Sequence, residues 1–326
     1  MMLRNLPELA EAVQRNCDIS DARYAGDYGM CTFLLKMREY YRWEHELPFT
    51  RALPRAELGD WLSAREAAWG ALESEDFGPL PLEAGALDPL AADVANRELL
   101  PRGLVYSAGY GRFGKPVFFL GALLRAEERE GYRVIVSSCE YARELAAPPA
   151  MLQGRTIYLR LESVRRYLWE KIEEWQWRKS DNRMARALAG YDFVADPEAA
   201  LTRMADNEME SMILHEVGEA RAGELLGAGW QEMITRVARS PAEVAARALR
   251  DLLADCLSTL PTLIARENLP ALHFYFATFD APRREHFPEA LVAYEEFLHD
   301  GSLAALERAA QVGAERFLAE ARALLL

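Results

Sequence analysis

The chain has 326 residues, 51 % of them hydrophobic, which is enough to bury a sizeable core in one large or two ordinary domains. A formal charge of −13 argues against nucleic acid or an anionic membrane as a broad partner, because binding phosphate needs clustered Lys and Arg. No stretch approaches the roughly 20 uninterrupted apolar residues that span a bilayer, and MMLRNLPELAEAVQRN is broken by charge before a signal-peptide core develops, so a cytoplasmic location is expected.

Residues 21–45, DARYAGDYGMCTFLLKMREYYRWEH, read as one long helix that is apolar or aromatic nearly all round and therefore buried, with Asp27 and Arg38 placed to pair. After Pro48 and Pro54 comes a second helix, RAELGDWLSAREAAWGALE, with Trp61, Leu62 and Trp69 inward. Residues 76–90, rich in Gly, Pro and Leu, predict an ordered connector, and DPLAADVANRELL a short helix.

Past Pro101 lie four strand signals: LVYSAGY, PVFFLGALL, YRVIVSSC and RTIYLRL. They are β-branched or aromatic and bounded by turn residues. The first two meet at Gly111-Arg112-Phe113-Gly114, so antiparallel hairpins are expected. Gly109 to Lys115 matches G-x-G-x-x-G, but a strand follows where a dinucleotide fold needs a helix. The loop is similar to the glycine-rich hairpin of protein kinases, yet no HRD or DFG accompanies it, and a tight turn explains the glycines. ESVRRYLWEKIEEWQWRK is an amphipathic helix whose Tyr167, Leu168, Ile172 and Trp175 should dock on the sheet.

The remainder is helical. Asp196-Pro197-Glu198 supplies a cap, a first-turn proline and an acid, opening a helix that should end near Gly227. At about 100° per residue, Glu208, Met212, His215, Glu219, Ala222 and Leu226 share one stripe, while Asp206, Glu210, Arg221 and Glu224 take the far side. Ionisable groups on an apolar stripe need partners. In His215-Glu216-x-x-Glu219, residues four apart could offer a nitrogen and an oxygen to one ion, with Glu216 placed as base. This resembles the HExxH helix of zinc peptidases, with Glu219 in place of the second histidine, and equally the carboxylate-and-histidine helices of iron-binding bundles, where Glu208 could join. The alternative is a structural network in which arginines such as Arg247 or Arg250 satisfy the acids.

Ser240-Pro241 caps a further helix that Pro261 should stop near Leu260. Its apolar side is Leu249, Leu252, Leu253, Cys256, Leu260 and Leu263, and Asp251 and Asp255 share the opposite stripe, solvated unless it faces the helix of His215, where they could serve as ligands. His273, in ALHFYFATF, is the best-placed second histidine, and with His215 and Glu219 would complete a two-histidine, one-carboxylate set. Cys17, Cys31, Cys139 and Cys256 show no CxxC spacing and read as reduced thiols.

The blocks CDISDARYAGDYGMCTFLLKMREYYRWE, LHEVGEARAGELLGAGW and DLLADCLSTLP with HFYFATF resemble a two-domain family of uncharacterised bacterial proteins. The resemblance covers most of the chain but brings no assigned activity.

The expectation is thus an α+β protein, predominantly α, with a small antiparallel sheet of about four strands in the N-terminal half and an all-helical C-terminal half. An α+β domain over residues 1–185, with hairpins at about 102–160, precedes a helical bundle over 190–326. Function divides between two classes. One is a metal-binding protein or a metal-dependent enzyme of zinc-hydrolase or non-haem-iron type acting on a small molecule or peptide. It would use a divalent metal on His215, Glu219, Glu208, His273 or Asp255, with Glu216 catalytic. The other is a non-catalytic scaffold or protein-binding module. A homo-oligomer is compatible with either.

Overall fold

Gly26 and Gly29 interrupt the first long apolar segment, so the computed structural model, which describes residues 5–111, 114–178, 182–238 and 240–325, holds two helices there in place of one. They are α1 (Leu6–Tyr24) and α2 (Met30–Glu44), joined by a 3₁₀ turn that includes Asp27. The expected Asp27–Arg38 pair does not form, because Asp27 is exposed in that turn and Arg38 pairs with Glu39. Nor is the whole segment buried: Met30 is 72 % exposed, while Tyr40 and Tyr41 are core. Then follow α3 (Arg55–Leu72), the two-stranded β1 (Leu80–Leu82) and β2 (Gly85–Leu87), and α4 (Ala92–Leu99).

The strand signals become β3 (Leu104–Tyr110), β4 (Pro116–Arg129), β5 (Tyr132–Arg143) and β7 (Thr156–Arg160). A further strand, β6 (Ala150–Gln153), makes the sheet five-stranded in the order β3-β4-β5-β7-β6. AMLQ is too short and too polar at its end to be read as a strand from sequence. The hairpin reading of the glycine loop holds: β3 and β4 are antiparallel, with Tyr110 opposite Pro116, and Gly114 adopts φ +73°, the left-handed region that glycine enters freely. Arg112 and Phe113 of that loop lie outside the described residues.

Period-two alternation sends Leu104, Tyr106 and Ala108 to one side of the sheet. There they meet the Leu9, Val13 and Cys17 stripe of α1 and Ala95 and Leu99 of α4. Val105, Phe119, Ile135 and Tyr158 cluster on the other side. Gly121 is obligatory in β4, since a Cβ there would lie 2.3 Å from Ser137 Oγ and 2.4 Å from Cys139 O.

Residues Met1–Glu127, Val134–Pro149 and Tyr158–Arg166 form one compact unit; Glu128–Arg133, Ala150–Ile157 and Tyr167–Leu326 form a second. The first unit buries charge as well as hydrocarbon. Arg160 grips Glu140 through two nitrogens, at 3.0 and 2.6 Å, and reaches Glu144 at 3.0 Å, all three side chains being at most 4 % exposed. Ser163 adds a hydroxyl to Glu140 at 2.6 Å. A planar guanidinium can satisfy two buried carboxylates in this way, where a lysine could not.

Helix α5 (Leu161–Arg178) runs from the first unit into the second. Its Leu168 and Ile172 are buried, and Tyr167 packs edge-on against Phe274. Lys179 to Asp181 lie outside the described residues, and α6 (Asn182–Ala189) follows. The rest of the second unit is α7 (Pro197–Leu226), α8 (Ala228–Arg236), α9 (Pro241–Ala254), α10 (Leu260–Ala265), α11 (Leu269–Ala277), α12 (Ala281–His286), α13 (Pro288–Asp300) and α14 (Ala304–Ala323). Its core runs from Ala222, Leu249, Leu252, Leu253 and Cys256 through the aromatic residues of α11 to Phe317.

Pro261 does not end the α9 helix. A π-helical turn, Asp255–Thr259, carries the chain on into α10. Proline has no N–H to give to the carbonyl four residues back, and that carbonyl, of Leu257, instead accepts from Arg221 of α7 at 2.9 Å.

Candidate functional site

Helix α7 begins where the sequence indicated, with the Asp196 side chain accepting from Ala199 N at 3.0 Å, and it stops at Gly227, φ +73°. What brings chemistry onto it is Gly218. A Cβ at this position would lie 2.3 Å from the carbonyl oxygen of Ala254, so the backbones of α7 and α9 touch there without intervening side chains. Residues on either side of the contact are thereby forced together: His215 and Glu219 on α7, and Arg250, Asp251 and Asp255 on α9 and its π turn. The supposedly solvated stripe of α9 faces α7, and Asp255, Ser258 and Thr259 are at most 3 % exposed.

His215 is held at both nitrogens. Nδ1 lies 2.7 Å from Asp255 Oδ1, and Nε2 lies 3.6 Å from Glu219 Oε1. Asp255 Oδ2 accepts from the Tyr275 hydroxyl at 3.0 Å and has Arg283 at 3.6 Å. Arg250 Nη2 reaches Glu219 at 2.6 Å and Asp251 at 3.4 Å. Asp255 is the buried anchor at 2 % exposed, while His215 at 23 % and Asp251 at 31 % open toward solvent.

These neighbours set the ionisation of each group. Burial disfavours an imidazolium at His215, but Asp255 and Glu219 outweigh it and hold the ring well above its ordinary value. Burial likewise opposes charge on Glu219, yet His215 and Arg250 bring it down to about 2. Asp255 is also lowered, Arg283 and His215 overcoming its burial. Glu216 and Asp251 go the other way, to about 7 and about 6, through burial and then the repulsion of Glu219.

His215, Glu219 and Asp251 each offer a ligand atom, all within 4.8 Å of one another. Three of the expected ligands lie outside this group. Asp255 lies at the opposite ring nitrogen, Nδ1, and orients the imidazole with Nε2 toward Glu219. His273 is not in the group: its Nδ1 is engaged by the Tyr294 hydroxyl at 2.8 Å, and burial lowers its pKa. Glu208, two turns before His215 and 2 % exposed, stands apart too, with Oε1 unbonded and its carboxyl pushed up to about 8 by burial. The expected arginine partner exists in Arg250, whereas Arg247 pairs with Glu243 at 2.7 Å. The sequence places Asp251 on one stripe with Asp255, as a ligand only if that stripe faces α7, which it does; Arg283 carries no signal in the sequence. The signal for that facing is Gly218 inside HEVGE: a glycine in mid-helix marks a close crossing, and a close crossing brings two polar stripes into register.

Two family models describe this architecture, one matching residues 8–160 as the N-terminal domain and the other residues 165–326 as the C-terminal domain of a family of unknown function, DUF6866. The chain belongs to that family. No curated protein and no solved structure matches it. Among the described residues, no helix is long and apolar enough to cross a membrane.

Proposed function

We propose that the α7–α9 crossing is a divalent-cation centre, with His215 Nε2, Glu219 and Asp251 as protein ligands, Asp255 orienting the histidine and Glu216 standing by as proton acceptor. The observation that carries this reading is the convergence of three ligand atoms within 4.8 Å on an imidazole whose far nitrogen is already fixed by a buried carboxylate. Charge supports it as well. Glu216, Glu219, Asp251 and Asp255 outnumber Arg250, Arg283 and the imidazolium that Asp255 and Glu219 favour at His215, and a divalent cation would bind by displacing the Nε2 proton and taking over its compensating charge. One nitrogen and two carboxylate oxygens suit manganese or ferrous iron better than zinc, which the loss of His273 from the set makes less favoured. A cation there would act as a Lewis acid on a small-molecule or peptide substrate, and Glu216 would take a proton from the attacking water.

Arg250 favours a second reading. Its Nη2 already bridges Glu219 and Asp251, which is the work a cation would do, and the cluster then serves as a buried ion network fixing α7 against α9. Titrating apo protein with Mn²⁺ by calorimetry separates the two. The cation centre requires one ion per chain, loss of binding in Asp251→Asn and His215→Ala, and tighter binding in Arg250→Ala, where the competing guanidinium is gone. Absence of binding in both the wild type and Arg250→Ala would leave the ion network as the function of these residues.

A further inference from the structure

Helices α13 and α14 form an antiparallel hairpin closed by Gly301, φ +75°, and between their outer faces runs a groove of about 640 Å³. Its floor is Ala293, Ala305 and Ala309, and its rims carry Val292 and Val312, 59 % and 62 % exposed. A single exposed valine is ordinary; two facing each other across an alanine-floored groove form a contiguous apolar patch.

The charges around this patch are sorted by helix. α13 contributes Glu289 and Glu296, one helical step either side of Val292, and α14 contributes Arg308 and Arg316 either side of Val312. At one end Arg316 is already paired, with Glu289 at 2.7 Å and with Glu320 of its own helix at 3.7 Å. At the other end Glu296 and Arg308 are exposed and have no ion-pair partner among the described residues. Along the groove itself, the lining acids thus belong to α13 and the lining arginines to α14, with a valine at the middle of each row.

We infer that this face binds a second copy of the same chain about a two-fold axis running along the groove. Such a rotation exchanges α13 with α14 while keeping position along the helices. Val292 then meets the partner's Val312, Glu296 meets the partner's Arg308, and Glu289 is brought level with the partner's Arg316. An isologous interface needs a surface that is its own complement, and the sorting of acids and bases onto opposite helices provides it. A different protein partner would not need the two rows to complement each other.

Sedimentation of the full chain over a concentration series tests the proposal. The wild type should associate reversibly to a dimer. Val312→Glu, at a position exposed enough to leave the fold intact, should weaken the dimer at least about tenfold by placing a charge at the centre of the interface. Glu296→Arg should weaken it measurably, and adding Arg308→Glu to that variant should restore association, because the swapped pair is again complementary. A wild type that stays monomeric throughout, leaving the face to some other protein, would overturn the inference. So would a dimer indifferent to Val312→Glu, or one that the charge swap fails to rescue.

Discussion

Substituting Gly218 by alanine tests the crossing on which the candidate site depends. In an exposed helix interior this change stabilises by up to about 1 kcal/mol, since alanine has the better helical propensity. Here the added Cβ would lie 2.3 Å from Ala254 O, 2.8 Å from its carbonyl carbon and 3.0 Å from its Cα. All three are backbone atoms, so no side chain can rotate away. Restoring an ordinary contact of 3.4 Å requires the helices to separate locally by about 1 Å. Overpacking of this kind costs about 1–3 kcal/mol, which outweighs the gain in propensity and makes the net effect destabilising. The same displacement would stretch the 2.7 Å contact between His215 and Asp255 beyond hydrogen-bond length. Urea denaturation followed by a probe in the second unit measures the first effect, and an NMR pH titration of the imidazole measures the second, as a fall toward the ordinary histidine value. A variant as stable as the wild type, with an unchanged His215 titration, would refute the close crossing.

Three further outcomes are expected. Asp255→Asn should destabilise the second unit by about 3 kcal/mol in urea, because a carboxylate 2 % exposed and shared by His215, Tyr275 and Arg283 leaves its cations uncompensated when neutralised; a loss below about 1 kcal/mol would contradict the network. Glu208 is held protonated by burial, its pKa rising from the ordinary 4.5 to about 8. The folded state therefore retains a proton that the unfolded chain loses, and stability should fall as pH rises from about 4.5 to about 8, by up to about 1.4 kcal/mol per pH unit. Glu208→Gln should flatten that interval and be the more stable protein at pH 8, so parallel urea midpoints for the two from pH 5 to 9 would count against it. In the first unit, Arg160→Met should cost about 3–5 kcal/mol by stranding Glu140 and Glu144 in the core, and a loss near zero would show that water reaches them.

Local chemistry made much of the chain readable in advance. The cap at Asp196, the glycine stop at Gly227 and the 3.6-residue stripe of α7 need nothing beyond their own segment, and neither do the β-branched runs of β3, β4, β5 and β7. The apolar set of α9, from Leu249 to Cys256, was legible for the same reason, since a row of leucines must be buried wherever the helix goes. What failed were inferences about what lies opposite. Asp251 and Asp255 sit on a polar stripe, and polarity by itself suggests water; here the stripe meets another helix that carries a histidine and two glutamates. Pro261 looked like a stop because its missing N–H orphans a carbonyl, and only a guanidinium arriving from α7 makes the continuous helix tolerable.

Sequence alone therefore determined which elements form and which of their residues cannot be left in water. Tertiary structure decided which polar groups meet: a helix specifies the directions of its side chains but not its neighbours, and the choice of neighbours was made at one glycine, where two backbones approach closely enough to bring the imidazole and three carboxylates together.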